Sequence, residues 1–140
     1  MPRGTSSVPE AAVVVDASVI VDLVADTPRA LAAADALAGH RLIAPAHIDA
    51  EVLSALGRMQ RAGQLTTRKA AVALTRSART PIDRSSLPDL LAGAWRRRNS
   101  LRLSDALYVE LAEQLGVKLV TTDGRLARAS PGALLVGVSP

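Results

Sequence analysis

The feature that most constrains the fold is a set of short, largely apolar, β-branched segments separated by stretches with helical periodicity. Segments 12–15, 118–121 and 134–136 are typical of strands, and 41–44 is a weaker fourth strand that Pro45 ends. Strands without alternation between apolar and polar residues are typical of parallel sheets covered on both faces. The sequence therefore predicts an α/β fold, an α/β/α sandwich around a parallel sheet of four to five strands.

Amphipathic helical patterns lie between these strands. Helices are predicted over 18–25, 29–38, 47–61, 66–78, 87–98 and 104–115. We expect Thr66 or Thr67 and Ser104 to be N-caps, and Gly39, Gly63 and Gly116 to end helices. Alternation of strands and helices is the pattern that brings parallel strands together through helical connections.

The composition excludes several classes of function. The chain has 140 residues, which suits one domain, and we divide it into a disordered lead-in over 1–11 and a domain over 12–140. It contains no Cys, which excludes disulfides, thiolate zinc sites and Cys nucleophiles. One Trp, one Tyr and no Phe are too few for a base-stacking platform. No apolar run is long enough for a signal or membrane segment, so we expect a cytoplasmic protein.

Two Asp residues follow predicted strands. Asp16 comes directly after the first strand, and Asp123 follows the strand over 118–121. Ligands of open parallel sheets bind outside the carboxyl ends of the strands, so these two carboxylates are predicted to share one edge. For each Asp alone, a helix cap or a turn residue is the slightly favoured explanation.

Two further carboxylates lie on predicted helices. Glu51 borders the apolar face of the helix over 47–61, whereas a solvated Glu would usually lie opposite that face. Asp105 is in the first turn of the helix over 104–115, where the helix dipole alone would explain a carboxylate. Glu110 and Glu113, by contrast, fit an ordinary solvated face.

Together these four carboxylates indicate a metal site. Two like charges about 5 Å apart repel by about 3 kcal/mol at an effective dielectric constant of about 20, and a divalent cation offsets that cost. All-oxygen ligands favour Mg²⁺ or Mn²⁺, the ions that activate water for phosphodiester hydrolysis. Without the four acids, the chain keeps 9 acidic and 17 basic residues, a net charge of +8 that attracts nucleic acid.

Candidate phosphate contacts precede Asp105 in the sequence. They are Arg96, Arg97, Arg98 and Arg102. Arginine presents a planar group suited to phosphate. A solvated helix C-terminus, whose dipole Arg also complements, explains this run equally well.

Four segments resemble the PIN domain, and most closely the VapC toxins of bacterial toxin–antitoxin pairs. They are 13–22 (VVVDASVIVD), 44–52 (APAHIDAEV), 103–112 (LSDALYVELA) and 119–126 (LVTTDGRL). The resemblance runs from about residue 12 to 136. It implies a PIN-like α/β/α fold and a magnesium-dependent endoribonuclease, with manganese as a substitute.

The resemblance also implies roles for individual residues. The catalytic and metal-binding acids would be Asp16, Glu51, Asp105 and Asp123. Ser18 and Thr121 match the family's small hydroxyl positions and would orient carboxylates or water. The implied substrate is an RNA (tRNA, rRNA or mRNA), and the implied partners are a second copy in a homodimer and a VapB-like antitoxin whose tail covers the active-site groove.

Other polar residues receive simpler interpretations. We interpret His47 as a capping or supporting residue of the site, and Trp95 and Tyr108 as packing residues. Asp22, Asp26, Asp35 and Asp49 fit surface or cap positions, although Asp22 could also face the acidic site as a fifth carboxylate.

Three alternatives remain open on sequence grounds. A haloacid-dehalogenase-type phosphatase usually has a second Asp two residues after the first, where this chain has Ser18. A structure-specific DNA nuclease of PIN type uses related acidic sites. A non-catalytic, receiver-like binding module requires a Lys near the carboxyl edge, but Lys118 begins its strand.

Overall fold

A parallel five-stranded sheet forms the centre of the protein. The structure, a computed structural model, describes residues 11–137. The strands are β1 (Ala11–Val15), β2 (His40–Pro45), β3 (Asp83–Ser85), β4 (Lys118–Thr121) and β5 (Leu134–Leu135). They are all parallel, in the order β3-β2-β1-β4-β5. The predicted parallel α/β fold is confirmed. The predicted lead-in lies outside the described residues, except for Ala11, which already belongs to β1.

Seven α-helices connect or follow these strands within the described part of the chain. They are α1 (Ala17–Val24), α2 (Ala30–Leu37), α3 (Ile48–Arg61), α4 (Thr67–Arg79), α5 (Leu91–Arg96), α6 (Leu103–Leu115) and α7 (Gly124–Arg128). A 3₁₀ turn over Pro88–Leu90 leads into α5, so the helix predicted over 87–98 is two shorter elements. β3 and α7 were not predicted, because the edge strand β3 is polar and the five residues of α7 are too few for a periodic pattern.

The helix ends test the capping predictions. Thr66 caps α4, because its hydroxyl oxygen accepts a hydrogen bond from the Lys69 N–H. Gly116 ends α6 with a φ of 66°, a backbone conformation that favours Gly. The prediction of Ser104 as an N-cap is wrong, because α6 begins at Leu103 and Arg102 occupies the cap position.

The core lies on both faces of the sheet. Val13, Val14 and Val15 are all buried although successive strand residues point to opposite faces. Both faces must therefore be covered by helices, which explains why these strands are continuously apolar. Tyr108 of α6 is the largest of the fully buried side chains.

The strand order places a crevice beside β1. The chain moves from β1 to β2 and β3 on one side, and returns to β4 and β5 on the other. This reversal opens a crevice at the carboxyl ends of β1 and β4, the place where open α/β sheets bind ligands. Beside the crevice, the Asp16 N–H donates a hydrogen bond to the Val120 carbonyl oxygen of β4 at 3.2 Å. No helix in residues 11–137 has the length and apolar character needed to cross a membrane.

Candidate active site

Asp16 lies at the bottom of this crevice, 6% exposed. Its carboxylate accepts hydrogen bonds from the Ser18 hydroxyl and the Thr121 hydroxyl, each at 2.6 Å. It also accepts from the Val19 N–H at 3.3 Å, so Asp16 is both the N-cap of α1 and part of the site. Burial raises the pKa of Asp16 to about 6, with a further increase from the charge of Asp105, although the hydrogen bonds oppose the shift.

The two hydroxyls connect the ends of β1 and β4. The Thr121 hydroxyl oxygen accepts from the Asp123 N–H at 3.0 Å, and the Ser18 hydroxyl oxygen accepts from the Thr122 N–H at 3.3 Å. The Asp123 carboxylate accepts from the Arg125 N–H at 2.9 Å and caps α7. The structure thus places Ser18 and Thr121 against the Asp16 carboxylate, as expected for residues that orient it.

Glu51 is held by the buried phenol of Tyr108. The Tyr108 hydroxyl donates to the Glu51 carboxylate at 2.5 Å, which joins α3 to α6. Burial and this hydrogen bond raise the pKa of Tyr108 well above its ordinary value, so the phenol remains a donor. The position of Glu51 at the edge of the apolar face of α3 is the local signal that pointed to the site.

His47 reinforces the connection between α3 and α6. Its Nε2 lies 2.9 Å from the Ser104 carbonyl oxygen, next to Asp105, and 3.6 Å from the Glu51 carboxylate. Its ring also contacts that of Tyr108, with centroids 4.9 Å apart. With Nε2 donating to a backbone carbonyl, His47 is a supporting residue that fixes the two acid-bearing helices relative to each other.

Asp105 is electrostatically coupled to the other acids. Burial raises the pKa of the Asp105 carboxyl above its ordinary value, and the charges of Glu51 and Asp123 raise it further. Arg102 and Arg125 partly oppose this increase. The four predicted acids line one cavity of about 370 Å³, which we call the acid cavity. Residues 16, 51, 105 and 123 are therefore brought together from four separate parts of the fold.

The acids suit a magnesium ion in donor type and charge. All four offer carboxylate oxygens, and their mutual repulsion is the energetic condition that a divalent cation relieves. Within residues 11–137, however, no three Asp, Glu or His side chains have the spacing of an assembled metal site. Each of Asp16, Glu51 and Asp123 instead accepts a hydrogen bond from a neighbouring donor. The donor chemistry fits magnesium, while the spacing is that of separately hydrogen-bonded carboxylates.

Two arginines that line the acid cavity were not predicted, and a third residue, Asp22, lies there as the fifth carboxylate that the sequence allowed. Arg29 and Arg58 line it, as does Asp22, which is 7% exposed and accepts from the Thr27 hydroxyl at 2.7 Å. Arg58 follows Glu51 by seven residues, a helical spacing that could have placed both on one face of α3. Arg29 occupies the N-cap position of α2, and no sequence signal linked it to the acids.

The predicted phosphate contacts separate into different environments. Arg98 and Arg102 line a second cavity of about 250 Å³, together with Arg125. We call it the arginine cavity. Arg96 is exposed and lies outside the residues that line either cavity. The Arg98 guanidinium lies 4.7 Å from the centre of the Trp95 ring, and Trp95 is 57% exposed, so its ring contacts Arg98 at the surface rather than the core.

Arg97 takes part in the contact between α5 and α6. Its guanidinium pairs with Glu110 and Glu113 and donates to the Gly93 carbonyl. Glu110 is only 5% exposed, so its interpretation as a solvated residue is wrong. The reason is the approach of α5 at Gly93, where a Cβ would overlap the Glu110 carboxylate. We therefore no longer expect Arg97 to contact phosphate, because its guanidinium is engaged at the α5–α6 contact.

A sequence model of the PIN domain matches residues 13–130. The chain belongs to the PIN-domain family. Ribonuclease VapC3 of Mycobacterium tuberculosis is 56% identical over 136 residues, which cover 96% of this chain and 99% of that protein. This PIN domain is therefore similar to a VapC ribonuclease over nearly its whole length.

Solved structures show the same fold at lower identity. VapC20 of Mycobacterium tuberculosis, a Sarcin-Ricin loop cleaving toxin, superposes with a TM-score of 0.66 at 21% identity, over 92% of this chain and 100% of that chain. VapBC2 from Rickettsia felis, bound to a DNA fragment from their promoter, superposes with a TM-score of 0.60 at 13% identity, over 89% and 96%. Both comparisons confirm the PIN-like α/β/α architecture.

Proposed function

We propose that this PIN-domain protein is a magnesium-dependent endoribonuclease, the toxin of a toxin–antitoxin pair, and that it hydrolyses RNA phosphodiester bonds. The observation that carries the proposal is the convergence of four carboxylates in one cavity at the crevice of the sheet. The similarity to Ribonuclease VapC3 supports RNA as the substrate.

The proposed chemistry assigns a task to each acid. Asp16, Glu51, Asp105 and Asp123 would hold the cation, and Mn²⁺ would substitute for Mg²⁺. When bound, the cation lowers the pKa of a water ligand and stabilises negative charge on the phosphate. Ser18 and Thr121 fix the orientation of the Asp16 carboxylate through their hydroxyl donors.

The two helices supply the remaining positioning. Tyr108 keeps the Glu51 carboxylate turned toward α6. His47 holds the first turn of α6, which carries Asp105. These contacts lower the entropic cost of arranging ligands around a metal ion and a phosphate.

We also propose a cytoplasmic homodimer that a VapB-like antitoxin inhibits. Similarity to a VapC protein and to the VapBC2 structure supports the antitoxin. Light scattering after size-exclusion chromatography would measure the assembly, and a mass of one chain would contradict the homodimer.

Cleavage of total RNA by purified protein tests the activity. The protein would be unfolded and refolded during purification to remove any bound antitoxin, and assayed with magnesium or with EDTA. Discrete fragments are expected with magnesium only, and Asp105→Asn should abolish them. The matched control is Asp35→Asn, which changes an exposed carboxylate of α2 and should leave cleavage unchanged.

Three results would contradict the proposal. Cleavage retained by Asp105→Asn would show that the acids have another role. Cleavage in EDTA would exclude the metal requirement. Cleavage of single- or double-stranded DNA in preference to RNA would favour the alternative of a PIN-type structure-specific DNA nuclease.

A further inference from the structure

Asp22 of α1 is a buried carboxylate with few partners in the protein. Only 7% of its surface is exposed, and it lines the acid cavity. In the described part of the chain its carboxylate accepts one hydrogen bond, from the Thr27 hydroxyl at 2.7 Å, and none from a backbone N–H, so it is not a helix cap. A carboxylate has about four acceptor positions, and burial with most of them unfilled is costly. Such a group is a candidate for contact with a ligand.

No cation of the described chain neutralises Asp22. Arg29 and Arg58 line the same cavity, yet neither forms an ion pair with Asp22. Asp49 and Asp83, in contrast, each pair with an Arg, at 2.7 and 2.8 Å. The remaining acceptor positions of the Asp22 carboxylate are therefore left to whatever occupies the cavity.

Asp22 continues the helix face that begins beside Asp16. Ser18, which donates to the Asp16 carboxylate, precedes Asp22 by four residues, so the two side chains lie one above the other on α1. Ser18 and Asp22 both line the acid cavity. One helix turn is about 5.4 Å long, so a group bound at Asp22 is a near neighbour of a phosphate bound at the four acids.

Thr27 holds the Asp22 carboxylate in a defined orientation. Its hydroxyl donates to that carboxylate, and the same hydroxyl oxygen accepts from the Arg29 N–H at 3.2 Å. The Thr27 N–H also donates to the Asp22 carbonyl oxygen at 3.4 Å. One carboxylate oxygen is thereby tied to the segment between α1 and α2. An acceptor fixed in this way loses little conformational entropy when it binds a donor.

We infer that Asp22 determines sugar specificity by accepting a hydrogen bond from the ribose 2′-hydroxyl next to the scissile phosphate, which favours RNA over DNA. The inference rests on the proposed function. Phosphate oxygens of a nucleic acid are acceptors and cannot satisfy a carboxylate, whereas the 2′-hydroxyl is a donor that DNA lacks. This hydroxyl is on the carbon next to C3′, whose oxygen belongs to the phosphate. Donors on the bases lie farther from the phosphate and differ between nucleotides.

Fluorescence anisotropy with three probes of one sequence tests this hydrogen bond. The probes are fluorescein-labelled single strands made of RNA, of fully 2′-fluoro RNA and of DNA. Fluorine at C2′ preserves the sugar conformation of RNA but cannot donate a hydrogen bond. Asp22→Ala and Asp22→Asn are compared with Asp35→Ala, which removes the same charge from an exposed position of α2. Every protein, including the parent, also carries Asp105→Asn, which should prevent cleavage, and a gel shows whether the RNA stays intact.

The measured quantity is the Kd for 2′-fluoro RNA divided by the Kd for RNA, because the general effect of a lost charge cancels in this ratio. The ratio for the parent protein should be about 10, the effect of one hydrogen bond to a charged group. Asp22→Ala should lower the ratio below about 2, and Asp35→Ala should leave it unchanged. Asp22→Asn keeps an acceptor oxygen and the size of the side chain, so it should give an intermediate ratio even if the Ala variant is unstable.

The DNA probe should bind the parent protein no more tightly than 2′-fluoro RNA, since both lack the donor. The inference is overturned if the parent protein binds RNA and 2′-fluoro RNA equally, or if Asp22→Ala keeps the ratio of the parent. An unchanged ratio together with a higher magnesium requirement for cleavage, measured with Asp105 intact, would make Asp22 a fifth metal ligand instead.

The ratio does not depend on cleavage, so the inference and the proposed function can fail separately. A ratio that depends on Asp22 in a protein that does not cleave RNA would leave the sugar contact and remove the activity. Magnesium-dependent RNA cleavage by the native chain, with equal binding of RNA and 2′-fluoro RNA, would leave the activity and remove the sugar contact.

Discussion

Replacing Asp16 by Asn should stabilise the fold above pH 6 when no divalent cation is present. Burial raises the pKa of this carboxyl from 3.8 to about 6, so the folded state binds the proton more tightly than the unfolded state. At about 1.4 kcal/mol per pKa unit, ionised Asp16 lowers the free energy of unfolding by about 3 kcal/mol. This cost is absent below about pH 3.8, increases as the pH rises, and is complete above about pH 6.

The variant should recover only part of this free energy. The carboxylate accepts three hydrogen bonds, from Ser18, Val19 and Thr121, whereas an amide offers one acceptor oxygen and a donor group. The hydroxyls can rotate to accept from the amide, with a loss of about 1 kcal/mol for less favourable geometry. We expect Asp16→Asn to be about 1–2 kcal/mol more stable than the native chain at pH 7.5, and nearly equal to it at pH 4.5.

Urea unfolding in EDTA at both pH values measures this difference. Asp35→Asn is the control, because Asp35 is exposed on α2 and its substitution should have little effect at either pH. Magnesium at pH 7.5 should stabilise the native chain more than the Asp16 variant, since the cation offsets the same repulsion. A variant that is less stable than the native chain at pH 7.5, or a difference that does not depend on pH, would show that burial of the ionised Asp16 does not destabilise the fold.

Three further substitutions probe the packing around the site. Gly93→Ala would place a Cβ on the Glu110 carboxylate. The substitution should lower the free energy of unfolding, measured in urea, by about 2–3 kcal/mol. A loss below about 1 kcal/mol would mean that α5 can shift away from Glu110 at little cost. In Gly57→Ala, within α3, the added Cβ would contact only the flexible guanidinium of Arg61. By the same assay the variant should be as stable as the native chain or about 1 kcal/mol more stable. A less stable variant would contradict this packing. Tyr108→Phe removes the donor to Glu51 and should slow cleavage and raise the magnesium concentration for half-maximal activity, while stability falls by about 1–1.5 kcal/mol at most. Unchanged magnesium dependence would show that Glu51 needs no such support.

Much of the fold and the outline of the site could be predicted from the sequence. β1 and β4 are apolar on both faces, and that local pattern already requires a covered parallel sheet. Asp16 comes directly after β1 and Asp123 two residues after β4, so their common edge is a consequence of parallel pairing. Glu51 could be predicted as a site residue because helical periodicity defines which side of α3 faces the core.

Other features depend on contacts between residues far apart in the chain. The position of β1 between β2 and β4 creates the crevice, and no local pattern specifies strand order. The burial of Glu110 depends on the approach of α5 at Gly93, so its own helix gave no sign of it. The hydrogen bond from Tyr108 to Glu51 spans 57 positions in the sequence.

The periods that build the strands and helices, and the order of these elements, follow from local sequence patterns. That Arg97 is engaged by Glu110 and Glu113, whereas Arg58 lines a cavity with all four acids, depends on the packing of the folded chain. The physical reason is that periodicity reports which side of one element is apolar. The charge that a polar side chain meets depends on the element packed against it, which only the folded chain brings into place.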